Sequence, residues 1–299
     1  MNAVQRSYIK IHIAVLLFGL TAILGGLIEL NALVLVWWRM LITSISLIFL
    51  IRRKRLLQSI DKPLLIVLVI NGIIIAIHWL CFYGSIKLAN ASVALVCMAS
   101  ASFFTALIEP WFLKRKIRRL DIFTGMLIIP GMILIVNNIR FDMLWGFAVG
   151  IMAALLSAVF ATINKKYVDS AHATDITFIE LGTGWLFLSI LLPFIWMGSV
   201  DSMNFWPVLS DWIYLIILSL LCTTLAFILS LQSLKHLSAF NANLIVNLEP
   251  VYGILLAAVI LSDHEELTTG FYIGVLFILC VVFSYPLLKK TRWLSSPIE

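Results

Sequence analysis

Charged side chains are scarce in this chain. Only 12% of its 299 residues are charged and 62% are hydrophobic, with a mean hydropathy of +1.08. Soluble globular domains carry about 25% charged residues. A chain with so few charges cannot cover its apolar side chains with a polar surface. The composition therefore excludes a water-soluble globule and predicts an integral membrane protein.

Motifs for metal binding and catalysis are also lacking. The four cysteines lie in apolar segments without a CxxC spacing, which argues against a disulfide framework and a zinc site. Neither a GxxxxGK[ST] loop nor an HExxH motif occurs, and the polar links are too short to form a soluble domain. We therefore expect no metal, no cofactor and no enzymatic activity. The chain has a net charge of +6, and in a membrane protein such a basic excess usually lies in the cytoplasmic loops. We therefore expect no nucleic-acid partner.

Ten apolar segments are candidates for membrane spans, each of which needs roughly 20 residues. Predicted helix 5 is the shortest, so segment length alone leaves a nine-span arrangement open. The predicted helices 1 to 10 cover residues 11–30, 33–51, 64–86, 92–113, 122–137, 143–165, 176–197, 212–233, 239–261 and 271–288. The predicted fold class is thus an all-α integral membrane protein with ten transmembrane helices.

The distribution of basic residues favours ten spans and fixes their orientation. With a cytoplasmic N-terminus, all of the 21 basic residues except Arg39, Lys87 and Arg140 fall in cytoplasmic segments. Removing one helix would destroy this separation, which follows the positive-inside rule. Both termini are therefore predicted to be cytoplasmic, in a multi-pass protein of the cytoplasmic (inner) membrane.

An internal repeat divides the chain into two halves. Residues 79–94 reappear as 227–242, with Ser85, Lys87, Ala91 and Ala94 matched by identical residue types. We place the first five-helix repeat at residues 1–140 and the second at 141–299. Because each repeat spans the membrane an odd number of times, the second is inverted relative to the first. Inverted repeats are typical of secondary transporters.

Polar side chains at membrane depth identify the helices that line a path. In predicted helix 3, Asn71 and His78 are seven residues apart and share one face, beside Trp79 and Tyr83. Two interpretations of His78 stay open, a hydrogen bond to a neighbouring helix or a place in a substrate cavity, and proton transfer is a less favoured third. Predicted helices 5 and 10 have almost no polar residues and are expected to be peripheral, where they could form a weak homodimer.

Three ionisable residues are candidates for binding charge or coupling to an ion. Arg39 in predicted helix 2 and Glu180 in predicted helix 7 occupy similar places in the two repeats and need partners, each other being one option. Snorkelling to the outer interface is the alternative for Arg39. Glu249 precedes Pro250, which removes a backbone donor and favours a kink in predicted helix 9.

The sequence resembles the EamA-type family of the drug/metabolite transporter superfamily. The resemblance rests on the ten-helix count, the inverted repeat and a set of residues in predicted helix 9, in the link that follows it and at the start of predicted helix 10, namely Leu248, Glu249, Pro250, Val251, Asp263, His264, Glu265, Glu266, Leu267, Gly270 and Gly274. It implies a secondary transporter, often an exporter of amino acids or related metabolites. It also implies a central cavity lined by helices 1 to 4 and 6 to 9.

We expect this protein to move a small organic metabolite across the lipid bilayer by alternating access. Aromatic and sulfur side chains would form an apolar pocket, and amide and imidazole groups would orient the polar groups of the substrate. The predicted substrate-binding residues are Asn71, His78, Trp79, Tyr83, Met98, Phe160, Asn243 and Asn247. The alternatives are an uncoupled facilitator or channel for small solutes and, less favoured, an integral-membrane enzyme that modifies lipid.

Overall fold

The computed structural model describes residues 2–137, 139–198, 204–246, 248–249, 252–253 and 268–288. Helices account for nearly all of these residues, and no strand occurs among them. Asn247, Pro250, the acidic group at residues 263–266 and the C-terminal basic segment lie outside the described residues.

The helices follow one another with short connections. In chain order they are α1 (Ala3–Leu27), α2 (Ala32–Ile48), α3 (Arg53–Ser59), α4 (Lys62–Leu88), α5 (Ala91–Ala99), α6 (Ala101–Phe112), α7 (Arg119–Val136), α8 (Leu144–Tyr167), α9 (Ala173–Gly198), α10 (Leu209–Ser219), α11 (Ala226–Leu234), α12 (Ala239–Val246) and α13 (Thr269–Leu288). A 3₁₀ turn, Phe141–Met143, precedes α8, and a π-helical turn, Leu220–Leu225, joins α10 to α11.

Side-chain caps explain why several helices begin where they do. Asn31, Asp61 and Asn90 each precede a helix and accept the backbone N–H three residues further on, at 3.0, 3.0 and 2.9 Å. These bonds satisfy donors that the first helical turn leaves unpaired. The structure starts α2, α4 and α5 at residues 32, 62 and 91, beside the predicted starts at 33, 64 and 92.

Some, but not all, of the ten predicted membrane spans correspond to helices long enough to cross a bilayer. Six helical segments among the described residues are long and apolar enough to cross a bilayer. A seventh arises if α2 and α3, which meet at a bend of 103°, are counted as one broken span. The chain is therefore an all-helical, multi-pass membrane protein, and the count of ten spans stays a prediction.

The beginning of α1 marks one end of the bundle, which we call the N-terminal end. Lys10 Nζ of α1 donates to Gln232 Oε1 near the end of α11 at 2.7 Å. Lys165 Nζ near the end of α8 donates to the Leu234 carbonyl oxygen at 2.5 Å. The start of α1 and the ends of α8 and α11 therefore lie together.

The opposite end, which we call the tryptophan end, is closed by hydrogen bonds and aromatic rings. Lys87 Nζ donates to the Ile28 carbonyl oxygen, and the Glu29 N–H donates to Asp211 Oδ1 at 3.1 Å. Trp38 Nε1 donates to the Phe205 carbonyl oxygen at 2.9 Å. Ring-to-ring contacts with centroid distances of 4.9 to 6.0 Å link the members of an aromatic cluster, Trp37, Trp38, Trp185, Phe205, Trp206 and Trp212.

These contacts give the direction of the helices in each half of the chain. Helix α1 starts at the N-terminal end and finishes at the tryptophan end, whereas α8 finishes at the N-terminal end. Helix α4 finishes at the tryptophan end, while the α10–α11 segment starts there with Asp211 and finishes beside Lys165. Helix α1 therefore runs opposite to α8, and α4 runs opposite to the α10–α11 segment.

Buried ion pairs fasten the N-terminal end. Asp175, at the start of α9, is fully buried and accepts two hydrogen bonds of 2.7 Å from Arg55 on α3. Glu109, near the end of α6, pairs with Arg115 at 2.9 Å and accepts the backbone N–H groups of residues 239 and 240 at 3.1 and 2.7 Å. The Glu109 carboxylate thus caps α12, a favourable place for negative charge, and links the two halves.

Candidate functional site

A central cavity opens between the two halves. It holds about 840 Å³ of space that protein atoms do not fill, including the part open to solvent. Aromatic and aliphatic side chains form much of its wall, and its polar lining residues are Thr21, Arg39, His78, Ser157, Asn164, Ser230, Asn243 and Glu249. A largely apolar cavity with a few polar groups is the usual form of a small-molecule site.

The lining helices correspond only in part to the set that the family resemblance implies. Among the described residues, the wall comes from α1, α2, α4, α5, α8, α11, α12 and the stretch that follows α12. Helix α9, predicted helix 7, contributes no lining residue. Helices α7 and α13, predicted helices 5 and 10, pack against each other and stay off the wall.

Arg39 supplies a buried cation to this wall. Its side chain is 3% exposed, its Nε donates to Thr223 Oγ1 at 2.7 Å and its Nη1 donates to Tyr83 Oη at 2.7 Å. The guanidinium carbon lies 3.8 Å from the ring centroid of Trp79, a cation–π contact. Snorkelling is therefore not the arrangement found. Nη2 has no hydrogen-bond partner among the described residues.

The π-helical turn between α10 and α11 positions the hydroxyl that holds Arg39. In this turn, Thr223 Oγ1 donates to the Leu218 carbonyl oxygen at 2.7 Å and Thr224 Oγ1 donates to the Ser219 carbonyl oxygen at 3.0 Å. Each threonine hydroxyl thus bonds a carbonyl oxygen five residues back in the chain, the spacing of one π turn. Single π turns of this kind are frequent at functional sites.

Glu249 supplies a buried carboxyl group to the same wall. The residue is 5% exposed, and its side chain has no hydrogen-bond or ion-pair partner within the described part of the chain. Nearby on the wall, Asn243 Nδ2 donates to Thr105 Oγ1 at 2.7 Å, and that hydroxyl donates to the Ala101 carbonyl oxygen at 2.7 Å. The cavity therefore contains one cationic and one acidic group that are not within ion-pair distance of each other.

His78 satisfies both interpretations that the sequence leaves open. Its Nδ1 donates to the Ala153 carbonyl oxygen of α8 at 2.7 Å, and the residue also lines the cavity. Its ring lies 5.2 Å from that of Phe160 and 6.4 Å from that of Phe82, measured between centroids. Because a carbonyl oxygen can only accept, Nδ1 carries the proton in this bond, and in the neutral ring Nε2 is then the acceptor.

Glu180 lies behind the wall in a separate polar cluster. Asn71 Nδ2 donates to Glu180 Oε1 at 2.7 Å and to Asn164 Oδ1 at 3.0 Å, and Asn164 Nδ2 lies 3.4 Å from Glu180 Oε2. Glu180 and Asn71 are fully buried, and Asn164 is 4% exposed. The cluster joins α4, α8 and α9, and Asn164 is its one member on the cavity wall.

Most of the predicted site residues meet at the cavity. The wall includes Arg39, His78, Trp79, Met98, Phe160, Asn243 and Glu249. Asn71, Tyr83 and Glu180 do not line it, because Asn71 and Glu180 bond each other and Tyr83 bonds Arg39 from behind. Arg39 and Glu180 are therefore not partners. Asn247 lies outside the described residues.

Sequence reasoning missed four polar lining residues, Thr21, Ser157, Asn164 and Ser230. A signal for two of them exists, because Ser157 and Asn164 are seven residues apart and share a face of α8. For Thr21 and Ser230 we find no comparable pattern. Within the described residues, no group of His, Cys, Asp and Glu is arranged to hold a metal ion.

Two stretches of the chain, residues 5–137 and 144–285, match the model of the EamA-like transporter family. Together they cover nearly the whole sequence. The chain belongs to the EamA-like transporter family. As a member of this family it is a membrane transporter, not an enzyme.

Relatives of this EamA-like chain include two bacterial proteins. It is 24% identical over 205 residues to the uncharacterized transporter YxxF of Bacillus subtilis (strain 168), and the match covers 66% of this chain and 62% of that protein. It is 22% identical over 221 residues to an uncharacterized transporter of Clostridium kluyveri, covering 71% and 69% of the two chains. A crystal structure of a protein with 16% identity shares the fold, with a TM-score of 0.66 over 96% of this chain and 98% of that one.

Proposed function

We propose that this protein is a secondary transporter that works by alternating access, with residues 1–140 and 141–299 as two inverted five-helix repeats. Two observations support the inversion. The family model matches the chain twice, and corresponding helices such as α1 and α8 run in opposite directions. Inverted repeats that move against each other around a central site are the recurring design of secondary transporters.

The cavity lies toward the N-terminal end of the bundle, and this one-sided position supports alternating access. Lining residues such as Asn164, Leu231 and Leu234 lie toward the N-terminal end of the bundle, where Lys165 also lies. At the tryptophan end, the aromatic cluster and the Lys87 and Asp211 hydrogen bonds close the path. A transporter of this kind alternates between such a state and one with the opposite end open.

The charges on the wall indicate the substrate class. Arg39 keeps a free Nη2 donor, and Glu249 keeps a carboxyl group without a partner among the described residues. Buried charges are costly when unpaired. A solute with a carboxylate for Arg39 and an amino group for Glu249 would pair both at once. This single observation carries the proposal that the substrate is an amino acid or a related zwitterionic metabolite.

We further propose that the direction is export from the cytoplasm. The segment that follows α2 at the N-terminal end, which includes Arg52, Arg53 and Lys54, carries basic residues that mark a cytoplasmic face. A cavity reached from this end would load its substrate from the cytoplasm. The membrane would then be the cytoplasmic (inner) membrane, with both termini inside.

Exchange of radiolabelled amino acids across proteoliposomes that contain the purified protein tests the proposal. Arg39→Lys should raise KM about 10- to 100-fold, because lysine lacks the guanidinium fork that bonds Thr223 and Tyr83 and still offers Nη2 to a solute. Glu249→Gln should raise KM by a similar factor, because it removes the charge from a hydrogen bond worth about 1.5–3 kcal/mol. Arg140→Lys is the matched control, since Arg140 forms an exposed pair with Asp142 and should exchange normally. Absence of exchange for every amino acid in the wild-type protein would refute the substrate class.

A further inference from the structure

Glu180 is a buried carboxyl group without a cation beside it. The residue is fully buried on α9, and its two side-chain neighbours within hydrogen-bond distance are the amides of Asn71 and Asn164. No basic side chain of the described residues lies within 4.0 Å of its oxygens. A carboxylate held by neutral groups alone is costly away from water, and binding a proton removes its charge.

Charged and titratable groups on the helices packed against Glu180 are engaged elsewhere. The segment Ala226–Leu234 of α11 contains none. On α2, α4 and α8, the groups that point into the bundle bond other partners: Arg39 bonds Tyr83 and Thr223, His78 bonds the Ala153 carbonyl oxygen, and Lys165 bonds the Leu234 carbonyl oxygen. On α9 itself, Asp175 pairs with Arg55. The protonation state of Glu180 is therefore set by its two amide neighbours and its burial.

The two amides can accommodate either protonation state. In the arrangement found, both amide nitrogens face the carboxyl oxygens as donors, which suits an ionised carboxylate, while Asn71 Oδ1 is buried without a partner. Rotating both amide groups by half a turn exchanges N and O. Asn71 Oδ1 then accepts the O–H of a protonated Glu180 and an N–H of Asn164. The unpartnered oxygen is thus the acceptor that a bound proton would use.

Close helix packing holds this cluster at a fixed distance from the cavity. Gly72, next to Asn71, lies so near α9 that a Cβ there would overlap the carbonyl oxygen of Glu180. Asn164 bonds the cluster on one side and lines the cavity on the other. A solute that hydrogen-bonds Asn164 therefore competes with the bonds that hold Glu180.

We propose that Glu180, held by Asn71 and Asn164, is the proton-binding site of this transporter, and that Asn164 couples its occupancy to the contents of the cavity. The coupling rests on the transport function proposed above. Proton binding at Glu180 does not, so the two statements can be tested separately.

Infrared difference spectroscopy of the purified full-length protein tests proton binding without any organic substrate. A pH step should give a carboxyl C=O band that is absent in Glu180→Gln and present in Glu249→Gln. The latter variant is the matched control, since it removes a second buried carboxyl group that forms no ion pair among the described residues. In Asn164→Ala the band should shift, because the carboxyl group loses a hydrogen-bond partner. Identical pH-step spectra for the wild type and Glu180→Gln would overturn the proposal.

A second readout covers the case in which Glu180→Gln does not fold. The band is then followed in Asn71→Ala and Asn164→Ala, where a hydrogen-bond partner of the carboxyl is lost while Glu180 remains. A shift in either variant supports the assignment. An unshifted band in both variants would overturn it.

Transport under a pH gradient tests the coupling, with an equimolar mixture of the protein amino acids as the probe. For one proton per solute, a gradient of one pH unit should drive roughly tenfold accumulation. Glu180→Gln should still exchange the amino acids but show no accumulation above equilibrium. Equal accumulation in this variant and the wild type would overturn the coupling. If the wild-type protein exchanges no amino acid, the function proposed above fails, while the infrared result for Glu180 stands.

Discussion

Helices α4 and α9 cross in close backbone contact at Gly72, and a single substitution can test this contact. A Cβ at this position would overlap the carbonyl oxygen of Glu180 and lie 3.0 Å from its carbonyl carbon and Cα. Ordinary van der Waals contact begins at 3.4 Å. Because backbone atoms cannot rotate away, Gly72→Ala has to push the two helices apart by about 1 Å, which weakens dispersion contacts along the whole crossing.

We expect this substitution to destabilise the protein by about 1–3 kcal/mol, the usual cost of overpacking. At about 2–4 °C per kcal/mol, the Tm in detergent should fall by several degrees. Thermal unfolding followed by circular dichroism measures this shift. Because Asn71 is the neighbouring residue, the same movement should also displace its hydrogen bond to Glu180.

Gly182 provides the matched control on the same helix as Glu180. Within the described part of the chain, no atom of a neighbouring element lies within 4 Å of a Cβ built at this position. Gly182→Ala should therefore leave stability unchanged or raise it by up to about 1 kcal/mol, through helix propensity alone. If Gly72→Ala were as stable as Gly182→Ala, the close contact between α4 and α9 would be refuted.

Three further predictions concern buried polar groups. Glu109→Gln should lower stability by about 1–3 kcal/mol because it removes the charge that caps α12; an unchanged Tm would contradict this. Asp175→Asn should lower it by a similar amount, because Arg55 loses a bidentate partner, and denaturant unfolding should show a lower midpoint. His78→Ala and Asn243→Ala should each impair solute exchange while the folded protein is retained; normal exchange kinetics in both variants would remove them from the site.

Helix positions were the part of the fold best encoded in local sequence. The capping residues Asn31, Asp61 and Asn90 interrupt the apolar runs, so α2, α4 and α5 start within two residues of the prediction. Helix α1 starts at Ala3, eight residues before its predicted start. The π-helical turn at Leu220–Leu225 was not predicted, because its residues are as apolar as those of an ordinary helix. The bonds from Thr223 and Thr224 to carbonyl oxygens five residues back are seen only in the folded chain.

Side-chain contacts between helices are harder to predict from the sequence than the helices themselves. Arg39 and Glu180 were considered as a pair from their similar places in the two repeats, yet they contact different neighbours. The rotation of each helix about its own axis decides such contacts, and the sequence of one helix does not specify it. Asn164 was missed because it directly precedes Lys165 and Lys166, and a polar residue beside two lysines resembles a solvated helix end.

The aromatic cluster at the tryptophan end gives the protein a built-in optical reporter. Five of the ten tryptophans, Trp37, Trp38, Trp185, Trp206 and Trp212, lie in this cluster, whose rings contact one another. Trp79 lies apart from them on the cavity wall, against the guanidinium group of Arg39. Separating the clustered rings would change their solvent exposure and energy transfer, while a bound solute would alter the emission of Trp79. Intrinsic fluorescence can therefore report on any separation of the clustered rings and on ligand binding beside Trp79 in the unlabelled protein.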